Sequence, residues 1–365
     1  MNTSHKKEKT ELCILITGAC GVTSRAILKS LKLSNKFKNS RFIGTDNCSN
    51  EYGIYEGLFS RIYKVPIVYD KNYHKLMGNI IREEKVDVAV VMPEIEVNYW
   101  SGNPFNVKYI VPPPLFSNSA ISKKNLYESL SDSNLIPKFQ VEDRINILTN
   151  GFKNEFDYPL WIRDFSEGSS SGNGALKVES SEQLKAWVLL NTHIQKFMIA
   201  EFLPGRNFAC HLLYYHGKLL KIGIYERLEY FMSKVVLSGI SGNISKGKLV
   251  NNEVVSSNAM NAVNFICNKN SEIMHGLVAV DLREDSNGIP LITEINLRHV
   301  ACTLAFSLAG FNLAEDQLLC ALGRLDEISI EVEYDFPPKN LILRDIDGHL
   351  IWLPEHNPLE IGEHN

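Results

Sequence analysis

The chain has 365 residues, 44% of them hydrophobic and 22% charged, with a formal net charge of −4 at pH 7. That length calls for two or three coupled domains, and the mild acidity argues against a nucleic-acid protein, whose phosphate contacts need a basic surface. No stretch reaches the ~18 apolar residues that span a bilayer, and the polar start Met1–Thr10 does not read as a signal peptide. The seven cysteines are scattered, odd in number and never in a CxxC pair, which predicts reduced thiols and neither a disulfide framework nor a zinc site. A soluble, cytoplasmic protein is expected, without membrane or nucleic-acid partners.

Leu12–Thr17 is a short apolar run ending in glycine, and Ser24–Leu33 follows with helical periodicity, predicting strand, tight turn and helix. Further strands are expected at Arg41–Asp46, Arg61–Pro66 and Val86–Met92, with a helix over Lys75–Glu84. Strands alternating with helices mean a parallel sheet, hence a small doubly wound α/β domain over 12–118 behind a flexible tail, 1–11. The run Val111-Pro112-Pro113-Pro114 closes it, because prolines continue neither sheet nor helix. A second domain, 119–325, opens with a helix over Lys123–Ser131 and a strand at Tyr158–Arg163, then a glycine-rich loop, Glu167–Gly174. Ala175–Val178, Phe197–Phe202, Ala209–Tyr215 and Lys218–Tyr225 read as strands, and Ser181–Leu190 and Glu253–Asn268 as helices. Between them Ser238–Gly247 is polar and rich in Gly and Ser. Gly276–Leu282 and Pro290–Ile295 form a hairpin turned at Asn287-Gly288. After a helix at Leu313–Leu322, residues 326–365 alternate like a β-rich extension, with strands at Ile328–Glu333, Leu341–Ile346 and His349–Trp352.

The hairpin carries the most chemistry. Glu294 and Asn296 share one strand face, and antiparallel pairing can bring Asp281 beside them. Two carboxylates and an amide oxygen converging in this way repel one another unless a hard cation lies between, and Mg²⁺ favours such oxygens together with phosphate. An ordinary hairpin with solvated acids is equally compatible. The loop residues Gly168, Ser169, Ser170, Ser171 and Gly172 can turn backbone N–H groups toward phosphate, with Arg163 just before them; a surface turn is the plain alternative. Glu201-Phe202-Leu203 ends a strand that breaks at Pro204-Gly205, offering a backbone edge to adenine and Asn207 to a ribose.

Read in order, these segments resemble the ATP-grasp ligases, and among them the carbamoyl-phosphate synthase large-subunit-like branch. Lys124, with Lys123 as near alternative, stands where the family's first nucleotide lysine precedes its proline strand; Tyr158–Arg163 is similar to the strand before the lid, with Arg163 for lysine. Glu167–Gly174 looks like the mobile lid and Glu201–Asn207 like the adenine hinge, with Asn207 where a glutamate usually holds the ribose. Asp281, Glu294, Asn296 and Arg298 match the metal motif, and Ala309–Leu313 the helix start that follows it. The resemblance covers roughly Leu12 to Gly323 and implies a small N-terminal domain followed by a two-lobed ATP-grasp domain. It further implies ATP with Mg²⁺ (or Mn²⁺), an acyl phosphate, and small-molecule carboxylate and amine substrates such as amino acids. Arg298 is then the oxyanion residue, Arg227 a second candidate on the acyl-phosphate side, and a homodimer the expected assembly. Ala279 stands where peptide-ligating relatives carry an arginine. Glu94 and Glu96, after the fourth strand, would suit a substrate ammonium; solvated loop acids are the plainer reading.

Two other classes compete. Thr17–Val22 and Asp46 resemble a dinucleotide-binding turn with its ribose acid, and Tyr230 and Lys234 have a reductase-like spacing. Yet the third glycine position is Ser24, and Tyr230 comes too late in the chain for that family. A non-catalytic nucleotide-binding protein is the other alternative, against which stands the intact set of three mutually repelling ligands.

Overall fold

The computed structural model describes residues 11–48, 52–53, 57, 59–149, 151–166, 174–235, 237–239, 243–345 and 360–361. The chain divides into two compact units. One comprises Met1–Val111, Arg298–Ile330 and His349–Asn365, the other Pro112–Leu297 and Glu331–Gly348.

The first unit is a parallel α/β layer. Strands β1 (Cys13–Thr17), β2 (Arg41–Asp46), β3 (Arg61–Lys64) and β4 (Val88–Val90) lie in the order β3-β2-β1-β4, and Glu360–Ile361 pairs antiparallel with β3. Every residue of β1 is buried, as a central parallel strand covered on both faces requires. Helix α1 (Val22–Leu33) presents Ile27, Leu28 and Leu31 to Ile14, Ile16, Val88 and Val90, and Leu318 and Leu319 complete this core. That burial explains why the helices Thr303–Leu308 and Leu313–Leu322 belong here, although in sequence they follow the second unit. Helix α2 (Tyr73–Glu83) begins two residues earlier than expected, and α3 (Glu94–Gly102) was not foreseen. Its apolar positions Val97 and Trp100 are only three apart, too short a pattern to announce a helix.

The second unit contains two antiparallel sheets. Helices α4 (Pro114–Ala120) and α5 (Lys123–Leu130) lead into the smaller, ordered β5-β8-β6-β7: β5 (Phe139–Asp143), β6 (Leu160–Asp164), β7 (Leu176–Val178) and β8 (Lys196–Glu201). Helices α6 (Arg144–Leu148) and α7 (Ser181–Leu190) join these strands and bury Ile147, Leu184 and Val188 against Leu160, Ile162, Phe197 and Ile199. The larger sheet runs β13-β12-β9-β10-β11-β14, with β9 (Asn207–Tyr215), β10 (Lys218–Tyr230), β11 (Ile244–Val250), β12 (Gly276–Glu284), β13 (Pro290–Asn296) and β14 (Ile342–Leu343); α8 (Glu253–Asn270) connects β11 to β12.

Pro114 opens α4 instead of barring it, since a proline at the first helical position gives up only an N–H that has no partner there anyway. The polar stretch expected at 238–247 ends inside β11, whose Ile244 and Leu249 are buried. Of the extension, Ile328–Glu333 contributes only a bridge from Glu333 to Ile222, Leu341–Ile346 shortens to β14, and His349–Trp352 lies outside the described residues. No helix among the described residues is long and apolar enough to cross a membrane, and all seven cysteines are free.

In the first unit Glu96 is 6% exposed. Burial pushes its carboxyl up from 4.5 to about 7, the hydroxyls of Thr17 and Tyr73 hold it back, and Asp46 adds to the rise. The folded chain therefore keeps a proton that the unfolded chain has lost, and stability falls as pH rises through that window. Glu96→Gln removes the dependence. Its stability relative to wild type, from urea unfolding, should improve by at most about 3 kcal/mol between pH 5 and pH 8. A gap that does not change with pH contradicts this.

Candidate active site

Strand register builds the site of the second unit. Across β13, β12, β9 and β10, one rung of the sheet is Asn296, Ala279, His211 and Gly223, and the next is Glu294, Asp281, Ala209 and Tyr225. A third rung sets Arg283, Asn207 and Arg227 side by side. Side chains on alternate residues share a face, so these three rungs form one continuous surface. Small residues at Ala279, Ala209 and Gly223 leave its middle low.

The expected metal residues Asp281, Glu294 and Asn296 do meet there. Arg227 Nη2 lies 2.6 Å from Asp281 Oδ1, and Lys123 Nζ lies 2.8 Å from Glu294 Oε2. The repulsion that the sequence reading assigned to a hard cation is thus already offset by two protein cations. Among the described residues no group of three or more His, Cys, Asp or Glu is placed to hold a metal. The donors available, two carboxylates and an amide, are the hard oxygens that Mg²⁺ takes alongside phosphate and water, so the set fits an ion that arrives with a nucleotide. Asn296 Nδ2 donates weakly to Ala279 O at 3.4 Å, which leaves its amide oxygen available as a donor atom to a cation.

The charges are tuned by their surroundings. Burial raises Asp281, and Glu294 across the ladder raises it further, against the pull of Arg227. Burial would raise Glu294 too, but Lys123 and Arg163 outweigh it and hold it below the usual range. Burial works against the charge of Arg227, yet Asp281 keeps it firmly protonated.

Helix α5 places the two lysines differently. Ser122 caps it, its hydroxyl accepting from Asn125 N, so Lys123 and Lys124 start the first turn about 100° apart. Lys123 is the one that turns inward, 9% exposed; Lys124 is half-buried. The phase of a helix start is set by its cap, and that choice was not legible from spacing alone.

Arg163, on β6, is 7% exposed, and its Nε and Nη2 have no hydrogen-bond partner among the described residues. Burial lowers its pKa, with Glu294 and Tyr127 opposing. A buried guanidinium with vacant donors fits an anionic ligand such as phosphate. The lid residues Gly168, Ser169, Ser170, Ser171 and Gly172 lie outside the described residues.

At the hinge, Glu201 ends β8 and exchanges backbone and carboxylate hydrogen bonds with Lys138. Leu203 is buried, and the chain then turns through Gly205, whose N–H donates to Glu284 O at 3.0 Å. A Cβ there would meet Glu284 Cβ at 2.5 Å, so only glycine permits this approach. The Phe202 ring lies under two cations, Lys177 at 4.7 Å and Arg283 at 5.4 Å. Asn207 is engaged on both sides, accepting from Arg227 Nη1 at 3.0 Å and donating to Tyr230 OH at 2.8 Å. Arg283, His211 and Tyr225 were not singled out from sequence; the period-2 step from Asp281 to Arg283 was the available signal.

Arg298 is described with the first unit, where it lies 3.8 Å from Glu94 and donates to His299 O. In the same unit both Asp46 oxygens accept backbone hydrogen bonds, Oδ2 from Cys20 N at 2.9 Å and Oδ1 from Cys48 N at 2.8 Å.

No family model and no curated protein matches the chain. Solved structures do. An L-amino acid ligase from Bacillus licheniformis superposes with a TM-score of 0.61 at 16% identity, over 89% of this chain and 78% of that one. An N5-carboxyaminoimidazole synthetase from Staphylococcus aureus, complexed with ADP, gives 0.61 at 14% identity over 91% and 80%. Biotin carboxylase from Campylobacter jejuni, as its β-γ-ATP complex, gives 0.58 at 12% over 90% and 72%. The chain has the fold of the ATP-grasp ligases.

The two lysines provide a direct check. Lys123→Ala strands Glu294 and should cost about 2 kcal/mol of stability in denaturant unfolding, below the full cost of a broken buried pair because Glu294 is partly exposed. Lys124→Ala should cost under about 1 kcal/mol. Equal losses contradict the assignment.

Proposed function

We propose that the protein is an ATP-dependent, ADP-forming carboxylate–amine ligase that joins amino acids or similar small metabolites through an acyl phosphate. The observation that carries this reading is the buried Arg163 guanidinium, with vacant donors, beside the Lys123–Glu294 and Arg227–Asp281 pairs. Three cations around two acids, one of them with no hydrogen-bond partner at two nitrogens among the described residues, form a surface that lacks an anion. The fold, shared with enzymes solved as an ADP complex and as a β-γ-ATP complex, makes a nucleotide polyphosphate the fitting anion.

In this reading Arg163 and Lys123 neutralise phosphate oxygens, and the backbone of Glu201, Phe202 and Leu203 receives the adenine. Lys124 and the 167–174 loop take their part through the resemblance described above. When bound, Mg²⁺ supplies charge neutralisation and in-line geometry at the phosphates, held by Asp281, Glu294 and Asn296. A substrate carboxylate attacks the γ-phosphorus and ADP leaves; an amine then attacks the acyl carbon, inorganic phosphate departs, and an amide remains. The protein's work is positioning and charge balance. Arg227 and Arg298 are the residues assigned to the charge that develops on the acyl group. We assign the protein to the cytoplasm, as a homodimer.

The test is phosphate release from ATP with Mg²⁺, screened against amino-acid pairs, with mass spectrometry of the products. Wild type should release phosphate and ADP only when a carboxylate substrate is present, and chelation of the metal should abolish this. Glu294→Gln should lower turnover by at least about 100-fold in protein that circular dichroism shows to be folded, although it also removes the counter-charge of buried Lys123 and so lowers the melting temperature. Full turnover in that variant removes the metal assignment, and nicotinamide turnover without phosphate release removes the ligase reading.

A further inference from the structure

Among the described residues, Arg283 is the one cation of the site face that the proposed chemistry does not use. It lies two residues beyond Asp281 on β12, one pleat or ~7 Å along the strand, and opposite Asn207. Its neighbours in the chain run, Glu284 with Gly205 and Arg206, tie it to the hinge: Gly205 N donates to Glu284 O, and Glu284 N donates to Arg206 O. The guanidinium stacks on Phe202, the middle residue of the hinge, with its central carbon 5.4 Å from the ring centroid. Its Nε is buried and has no partner among the described residues. Burial lowers its pKa, and Tyr230 opposes that only in part.

Position separates its task from that of the other cations. Lys123, Arg163 and Arg227 gather about Glu294 and Asp281, where the polyphosphate belongs. Arg283 lies toward the hinge, where the base belongs. A guanidinium offers donors only, in a planar fork, so its partner must present acceptors. Guanine presents two adjacent acceptors, O6 and N7; adenine presents N7 next to an amino donor, which opposes a second Arg donor. A guanidinium fork at the base end, half-buried and with its Nε buried, therefore favours guanine relative to an apolar residue in the same place.

We propose that Arg283 is a specificity-determining residue that donates to the acceptor edge of the nucleotide's purine, so that the site accepts guanine as well as adenine nucleotides. This rests on the nucleotide reading of the same site given above.

The experiment is equilibrium binding of ATP and of GTP, each with Mg²⁺, to the full chain and to Arg283→Met and Arg283→Lys, with melting temperatures recorded alongside. Wild type should bind GTP within about tenfold of ATP. Arg283→Met should weaken GTP by at least about tenfold and ATP by no more than about threefold. Arg283→Lys, which keeps the charge and loses the fork, should not restore GTP. Wild type binding GTP more than about tenfold below ATP, or a variant that weakens both nucleotides equally, overturns the proposal and leaves the ATP reading intact. The first of these outcomes is decided on wild type alone, whatever the folding of the variants. Failure of wild type to bind either nucleotide overturns the nucleotide reading itself.

Discussion

Two carboxylates set opposite each other on neighbouring strands, Asp281 and Glu294, are the constraint on which the site depends. Burying them together is unfavourable unless cations come with them. The fold brings one from each side: Arg227 from β10 of the same sheet, and Lys123 from the first turn of α5. Each attachment fixes an element. The pair to Lys123 ties α5 to the hairpin, and the pair to Arg227 orders Asn207 and Tyr230 beside it. The result is a surface held in shape before a ligand arrives, and preorganisation of this kind is what phosphoryl transfer asks of a protein.

The same pairs explain why the acids suit a metal only in company. Alone, each carboxylate already has its counter-charge. A polyphosphate adds negative charge beside Arg163 and Lys123, and then additional positive charge becomes favourable at Asp281 and Glu294. Binding of nucleotide and of divalent cation are in this way coupled by simple charge balance.

Much of this was legible in the sequence, and the reasons are local. Arg41–Asp46 is a strand to the residue, its Phe42, Ile43 and Thr45 favouring extended backbone between polar turns. The hairpin followed from alternation plus Asn287-Gly288; the structure adds that Asp285 Oδ1 accepts from both Asn287 N and Ile289 N, with Gly288 at a positive φ of 80°. What was not legible depends on partners distant in the chain. Whether Lys123 or Lys124 faces the acids is a matter of helix phase. That Arg227 and Asp281 pair is a matter of register across three strands. The grouping of Leu318 and Leu319 with the N-terminal sheet is a matter of burial between segments some 300 residues apart.

On the proposed function, a nucleotide polyphosphate binds the face formed by β12, β13 and β9 together with Arg163. Amide hydrogen exchange with and without ATP and Mg²⁺ tests it most directly. Exchange should slow, on adding both, in Gly276–Asn296, at the end of β8 through Asn207, and around Arg163, with little change at the Thr17–Val22 turn of the first unit. Protection confined to that turn and to the loop after Asp46, with none in the hairpin, would contradict it.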